Sequence, residues 1–127
     1  MSLIALMAAA IGDSSDVTPN AVNWANVSGV SPQANANQTV DGCSQSITIS
    51  MAKSGTTGTT SIVEYRIASG AYTTYTVPFS IDALTGQTLN WRVSLAAPGA
   101  GTGTITVTND SDGSATLDTF TYNLTLA

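Results

Sequence analysis

Apolar and polar positions alternate along most of this chain, and the alternation is cleanest over residues 88–95. There Leu89, Trp91, Val93 and Leu95 interleave with Asn90, Arg92 and Ser94. A period of two marks a strand with one face buried. The same period predicts strands over 22–27, around Trp24, and over 44–51, with Ile47, Ile49 and Met51 on one side. It recurs over 60–67, where Val63, Tyr65 and Ile67 share a face, and over 103–108, where Ile105 and Val107 point inward. Residues 115–126 close the series with Phe120, Tyr122, Leu124 and Leu126. Shorter strands are predicted over 38–40, 71–77 and 79–81, the second ended by Pro78. Between them lie turn signals: a Ser-Pro step at 31–32, Asp41-Gly42, a Gly-rich hairpin loop over 53–58, Ser69-Gly70, a loop over 97–101, and Asn109 to Gly113. No long segment repeats at the helical period.

Seven to nine strands at spacings of roughly 8–12 residues predict an all-β antiparallel sandwich. The abundance of Thr, Val and Ile fits, since β-branched side chains suit a pleated surface. An Ig-like order is the first expectation and a jelly roll the alternative. A Cys–Trp–Cys set is missing, so an antibody-type domain is excluded.

Residues 1–11 break the pattern. They are uncharged and almost wholly apolar, but short of the roughly 20 residues a membrane span needs. They lack the basic start of a signal peptide. The expectation is an extended apolar N-terminal arm, with the arm and a polar hinge over 1–18 and the sandwich domain over 19–127. Leu3, Ile4, Leu6, Met7 and Ile11 are the candidate partner-binding residues. Each would contribute roughly 1.5–3 kcal/mol on full burial, before ordering costs. The competing reading folds the arm onto its own domain.

Charge narrows the partners. Lys53, Arg66 and Arg92 are the only cations among 127 residues, against eight carboxylates, for a net charge of -5. Nucleic acid and anionic membrane surfaces are therefore not expected partners. Charged residues make up 9% of the chain, against about a quarter in typical domains. A surface so poor in charge suits dense packing or an extracellular setting.

The chain offers little to chemistry. It has no His, which removes the usual general base and rules out a Ser–His–Asp or Cys–His device within one chain. Cys43 is alone, so no intrachain disulfide forms, and it reads as a small buried residue. Glu64 with Asp82 is a conceivable glycosidase-like pair, although each reads more simply as a solvent-facing carboxylate. Asp110 and Asp112 are too few for a calcium loop and read as turn residues. The Asn-X-Ser/Thr matches at Asn26, Asn37, Asn109 and Asn123 arise readily in such a composition. The glycines at 99–103 lack the Lys and helix of a phosphate cradle. Tyr65, Tyr72, Tyr75, Trp24 and Trp91 are either core residues or a sugar-stacking platform. No cofactor, metal site or catalytic residue is expected, and the chain does not read as an enzyme.

Two stretches carry a resemblance. Residues 16–29, Asp-Val-Thr-Pro-Asn-Ala-Val-Asn-Trp-Ala-Asn-Val-Ser-Gly, followed by Asn37-Gln-Thr-Val40, resemble the opening of Ig-like domains in virion proteins of tailed bacteriophages. Residues 85–94, Thr-Gly-Gln-Thr-Leu-Asn-Trp-Arg-Val-Ser, followed by Gly103-Thr-Ile-Thr-Val-Thr-Asn109, are similar to the last strands of such modules. Together they cover about half of the chain. The resemblance implies a structural subunit of a virion, bound to other virion subunits and to copies of itself. A capsid decoration protein is the first expectation, and a tail, collar or fibre subunit the next. A carbohydrate-binding module for cell-surface glycans is the rival of another class. The resemblance brings no catalytic residues.

Overall fold

The computed structural model describes residues 16–127. The five arm residues Leu3, Ile4, Leu6, Met7 and Ile11 lie outside the described residues. Ten strands follow in order: β1 (Val27–Val30), β2 (Gln33–Ala34), β3 (Gln38–Val40), β4 (Ile47–Gly58), β5 (Ser61–Ile67), β6 (Thr73–Thr74), β7 (Phe79–Ile81), β8 (Gln87–Leu95), β9 (Gly99–Asn109) and β10 (Ala115–Leu126). A 3-10 turn, Asp110–Asp112, separates β9 from β10. Among the described residues no helix is long and apolar enough to cross a membrane.

The strands form two sheets. The first has the order β1-β10-β9-β4-β7; the second runs β2-β8-β5-β6, with β3 also paired to β8. The sequences β4-β9-β10 and β3-β8-β5 are the two half-orders of an Ig-like sandwich, not of a jelly roll. Pairing is antiparallel except at one edge, where β1 runs parallel to β10 with Val27 opposite Tyr122. The chain then leaves the first sheet through the cis Ser31–Pro32 bond and joins the second as β2.

The alternation read from the sequence places the core. Leu89, Trp91, Val93 and Leu95 of β8 face Ile47, Ile49, Ile105, Val107, Phe120, Tyr122 and Leu124 of the first sheet, all buried. Aromatic contacts knit the two layers. Trp91 lies 6.2 Å from Trp24 and 5.9 Å from Phe79 between ring centroids. Tyr65 stacks on Phe79 at 3.7 Å.

Four local expectations change. Residues 53–58 are not a hairpin loop but the second half of β4, paired with β9 as far as Gly58 opposite Gly101. Their glycines serve irregular strand geometry: Gly55 sits at φ 57° where the register shifts between Ser54 and Thr57. Gly99 to Gly101 likewise begin β9. The strand over 71–77 contracts to Thr73–Thr74. Residues 22–26 alternate in burial, with Val22 and Trp24 inside, yet join no ladder. Side chains satisfy their backbone instead. The Trp24 N–H donates to Asp118 Oδ2 at 2.5 Å, and the Asn23 N–H to Gln38 Oε1 at 3.1 Å.

Candidate functional site

A connected polar arrangement lies on the outer face of the second sheet. The β5–β8 register sets Glu64 opposite Arg92 and Arg66 opposite Asn90. Period-two alternation turns all four away from the buried row of Leu89, Trp91 and Val93. Tyr72 reaches over them from the loop between β5 and β6. Its ring centroid is 4.0 Å from the guanidinium carbon of Arg92 and 4.8 Å from that of Arg66. Both distances are within cation–π range.

Asn90 organises this face from beneath. It is 1% exposed. Its amide donates to the Tyr72 hydroxyl at 2.6 Å and to the Asn35 carbonyl at 3.3 Å, and its Oδ1 accepts from Arg66 Nε at 3.2 Å. Arg92 is tied to Glu64 Oε1 through Nη2 at 2.9 Å and through Nε at 3.0 Å. Arg66 has no carboxylate at salt-bridge distance among the described residues. Two of the three cations of the chain therefore converge on one tyrosine, with a single carboxylate between them. The third, Lys53, folds back to donate to the Ser61 carbonyl at 2.8 Å.

Three carboxylates lie elsewhere. Asp16, Asp41 and Asp112 are brought to one end of the sandwich by bonds of residues 16–20, near the buried Cys43. Burial, followed by these three charges, pushes the Cys43 thiol above its ordinary range. Local hydrogen bonds hold the acidic end together. Asp112 accepts from Thr18 Oγ1 at 3.1 Å, Asp41 from Asn20 Nδ2 at 3.1 Å, and Asp110 from Ser50 Oγ. Val17, assigned to the hinge, accepts from Asn109 Nδ2 at 2.6 Å. A cleft of about 230 Å³ opens beside this end, lined by residues 18–22, Asp112 and Leu117 among others.

The other candidate residues disperse. Glu64 belongs to the second sheet, whereas Asp82 follows β7 of the first and caps its own turn. There it accepts from the Leu84 and Thr85 N–H groups and from Thr85 Oγ1 at 2.6 Å. Those bonds to the ionised form, led by the Thr85 hydroxyl, hold Asp82 below the usual carboxylate range. Asp110 and Asp112 form the 3-10 turn, and among the described residues no three His, Cys, Asp or Glu side chains gather as a metal site would require. Of the five aromatics considered as a platform, Trp24 and Trp91 are buried, and Tyr65 and Tyr75 pack against the core. Only Tyr72 reaches the outer polar face. The sequence signalled the Glu64–Arg66 and Asn90–Arg92 pairs as polar positions of two strands. Their adjacency depended on the register, and the arrival of Tyr72 from a loop had no signal.

Two further surfaces are available for contact. The outer face of the first sheet carries aligned uncharged polar rows, with Thr106 opposite Thr119, Thr104 opposite Thr121 and Thr102 opposite Asn123. The outer edge of β4 pairs with β7 only from Ile47 to Ile49, so from Ser50 onward it meets no strand among the described residues.

No family model matches the chain, and no curated protein matches it. Solved structures do. A family 123 glycoside hydrolase from Clostridium perfringens aligns over 82% of this chain and 22% of its own, with 13% identity and a TM-score of 0.49. The N-terminal domain of PorA aligns over 83% of this chain and 90% of its own, with 10% identity and a TM-score of 0.41. CfaE, the adhesive subunit of the CFA/I fimbria of enterotoxigenic Escherichia coli, aligns over 90% and 49%, with 8% identity and a TM-score of 0.42. This chain thus spans about a fifth of the hydrolase and half of CfaE. Likeness of this degree says nothing of activity or partner.

Proposed function

We propose that this chain is a structural subunit of a tailed-phage virion, a capsid decoration protein held to its neighbours by the N-terminal arm and by sheet edges. A tail, collar or fibre subunit is the same reading at another place on the particle. The observation that carries it is the surface of the first sheet: uncharged threonine rows beside a β4 edge that, from Ser50 to Gly58, meets no strand among the described residues. Such an edge accepts a partner strand through main-chain hydrogen bonds. An uncharged face lets acidic molecules approach without like-charge repulsion. The resemblance of residues 16–29 and 85–94 to Ig-like virion domains supports the same reading. Leu3, Ile4, Leu6, Met7 and Ile11 supply the apolar anchor in this proposal, and other virion subunits and further copies of the chain are its partners.

Quantitative mass spectrometry of purified particles tests it. The chain is expected at a constant copy ratio to the major shell or tail protein, and removal of residues 2–11 is expected to abolish incorporation. Saturable binding on a glycan array, with no chain on any particle, would overturn the reading in favour of a carbohydrate-binding module.

A further inference from the structure

We infer that the Arg66–Tyr72–Arg92 face is a docking site for the acidic end of a second copy of this chain, so that copies associate head to tail. This rests on the structural-subunit reading and adds a contact between copies to it. Charge complementarity within one molecule carries the inference. In a chain of net charge -5, two of three cations meet at one ring, and Arg66 is left without a carboxylate among the described residues. The same molecule brings Asp16, Asp41 and Asp112 to one end of the sandwich, where Asp16 accepts from the Ser44 N–H, Asp41 from Asn20 and Asp112 from Thr18, and where none of the three cations makes a bond among the described residues.

The basic face is also built in advance. Asn90, buried beneath it, holds Arg66 through Nε and Tyr72 through its hydroxyl. The Nη groups of Arg66 are left to meet an incoming carboxylate, and an arginine fork matches that geometry. Ordering cost on docking is reduced because Arg66 and Arg92 already rest against the ring. The two surfaces are different parts of one chain, one on an outer sheet face and one at an end. A contact between them is heterologous: each copy can give its acidic end to one neighbour and its basic face to another. That geometry propagates along a ring or lattice.

Sedimentation velocity of the full chain, over a concentration series in 20 mM and in 500 mM salt, tests the inference. Such a contact is screened at high salt, whereas association through the apolar arm is not. The salt-sensitive part of self-association is expected to weaken at least threefold in Arg66→Glu. It is expected to return in the double charge reversal Arg66→Glu with Asp112→Lys. Circular dichroism melting confirms that each variant folds; if Arg66→Glu does not, Arg66→Gln serves in its place and is expected to weaken the contact in the same direction. Self-association that is the same at both salt concentrations, or that survives loss of the Arg66 charge, would overturn the inference. Loss of the salt-sensitive contact with particle incorporation intact separates this inference from the arm-anchored reading, which incorporation alone tests.

Discussion

Trp91 shows how much one side chain holds in this molecule. It is fully buried on the central strand of the second sheet and touches the rings of Trp24, Tyr65, Tyr75 and Phe79. Its indole N–H is buried without a partner among the described residues, whereas that of Trp24 reaches the Leu89 carbonyl at 2.8 Å. Apolar contact therefore outweighs that unmet bond at Trp91. Truncation to Ala removes the contact from both layers and is expected to cost about 3–5 kcal/mol in urea unfolding. Asp82 illustrates the opposite case, a half-buried group that acts through its charge. Its pKa is lowered in the folded chain by the bonds from Thr85 and Leu84. Its contribution is therefore complete above its unfolded pKa, near 3.8, and is lost as pH falls through the lower folded value. Asp82→Asn is expected to flatten the fall in melting temperature below about pH 4 and to leave the slope at neutral pH unchanged.

Strand pairs depend on what their glycines leave open. Gly103 on β9 faces Tyr122 on β10, and a Cβ there would stand 2.6 Å from the tyrosine hydroxyl. The bare backbone lets the ring lie across it and its hydroxyl donate to Ser61 Oγ at 2.9 Å, which links the first sheet to the second. Gly103→Val is expected to lower stability by about 1–3 kcal/mol through overpacking. Thermal melts with Tyr122→Phe as a comparison would separate the ring displacement from the lost hydrogen bond. Gly58 faces a harder limit: at φ 78°, an added Cβ would lie 2.0 Å from the Ala100 carbonyl oxygen. No side-chain motion relieves a clash with backbone, so Gly58→Ala is expected to melt at a lower temperature than Gly55→Ala, where the space is open.

At the scale of the molecule, the chain is bonded to the sandwich from the first described residues. Asp16 accepts from the Ser44 N–H at 3.0 Å, Val17 accepts from Asn109, and Thr18 bonds Asp112. The chain is thus tied to the domain from residue 16 onward. Removal of residues 2–11 is expected to leave the melting temperature of the isolated protein within about 2 °C of the full chain, roughly half the shift that 1 kcal/mol produces at this size. A drop of 10 °C would mean that the arm packs on its own domain and is not free to anchor a neighbour.

By itself the sequence determined the class of fold, most of the strands and the inward rows. Burial acts on every second residue of a strand, and a row such as Leu89, Trp91, Val93 and Leu95 records that locally. It also determined the scarcity of acid–base groups, which is a matter of composition. Only the tertiary structure decided where strands end when glycine is part of the ladder. Gly55, Gly58, Gly99 and Gly101 read as loop residues until β4 and β9 are seen to run side by side. Only the tertiary structure decided that the backbone of residues 22–26 would bond to side chains, because Gln38 and Asp118 are distant in sequence. The Arg66–Tyr72–Arg92 face was equally illegible in advance. Its charges sit on two strands and its ring on a loop, and the β5–β8 register that unites them is a long-range pairing that no local pattern encodes.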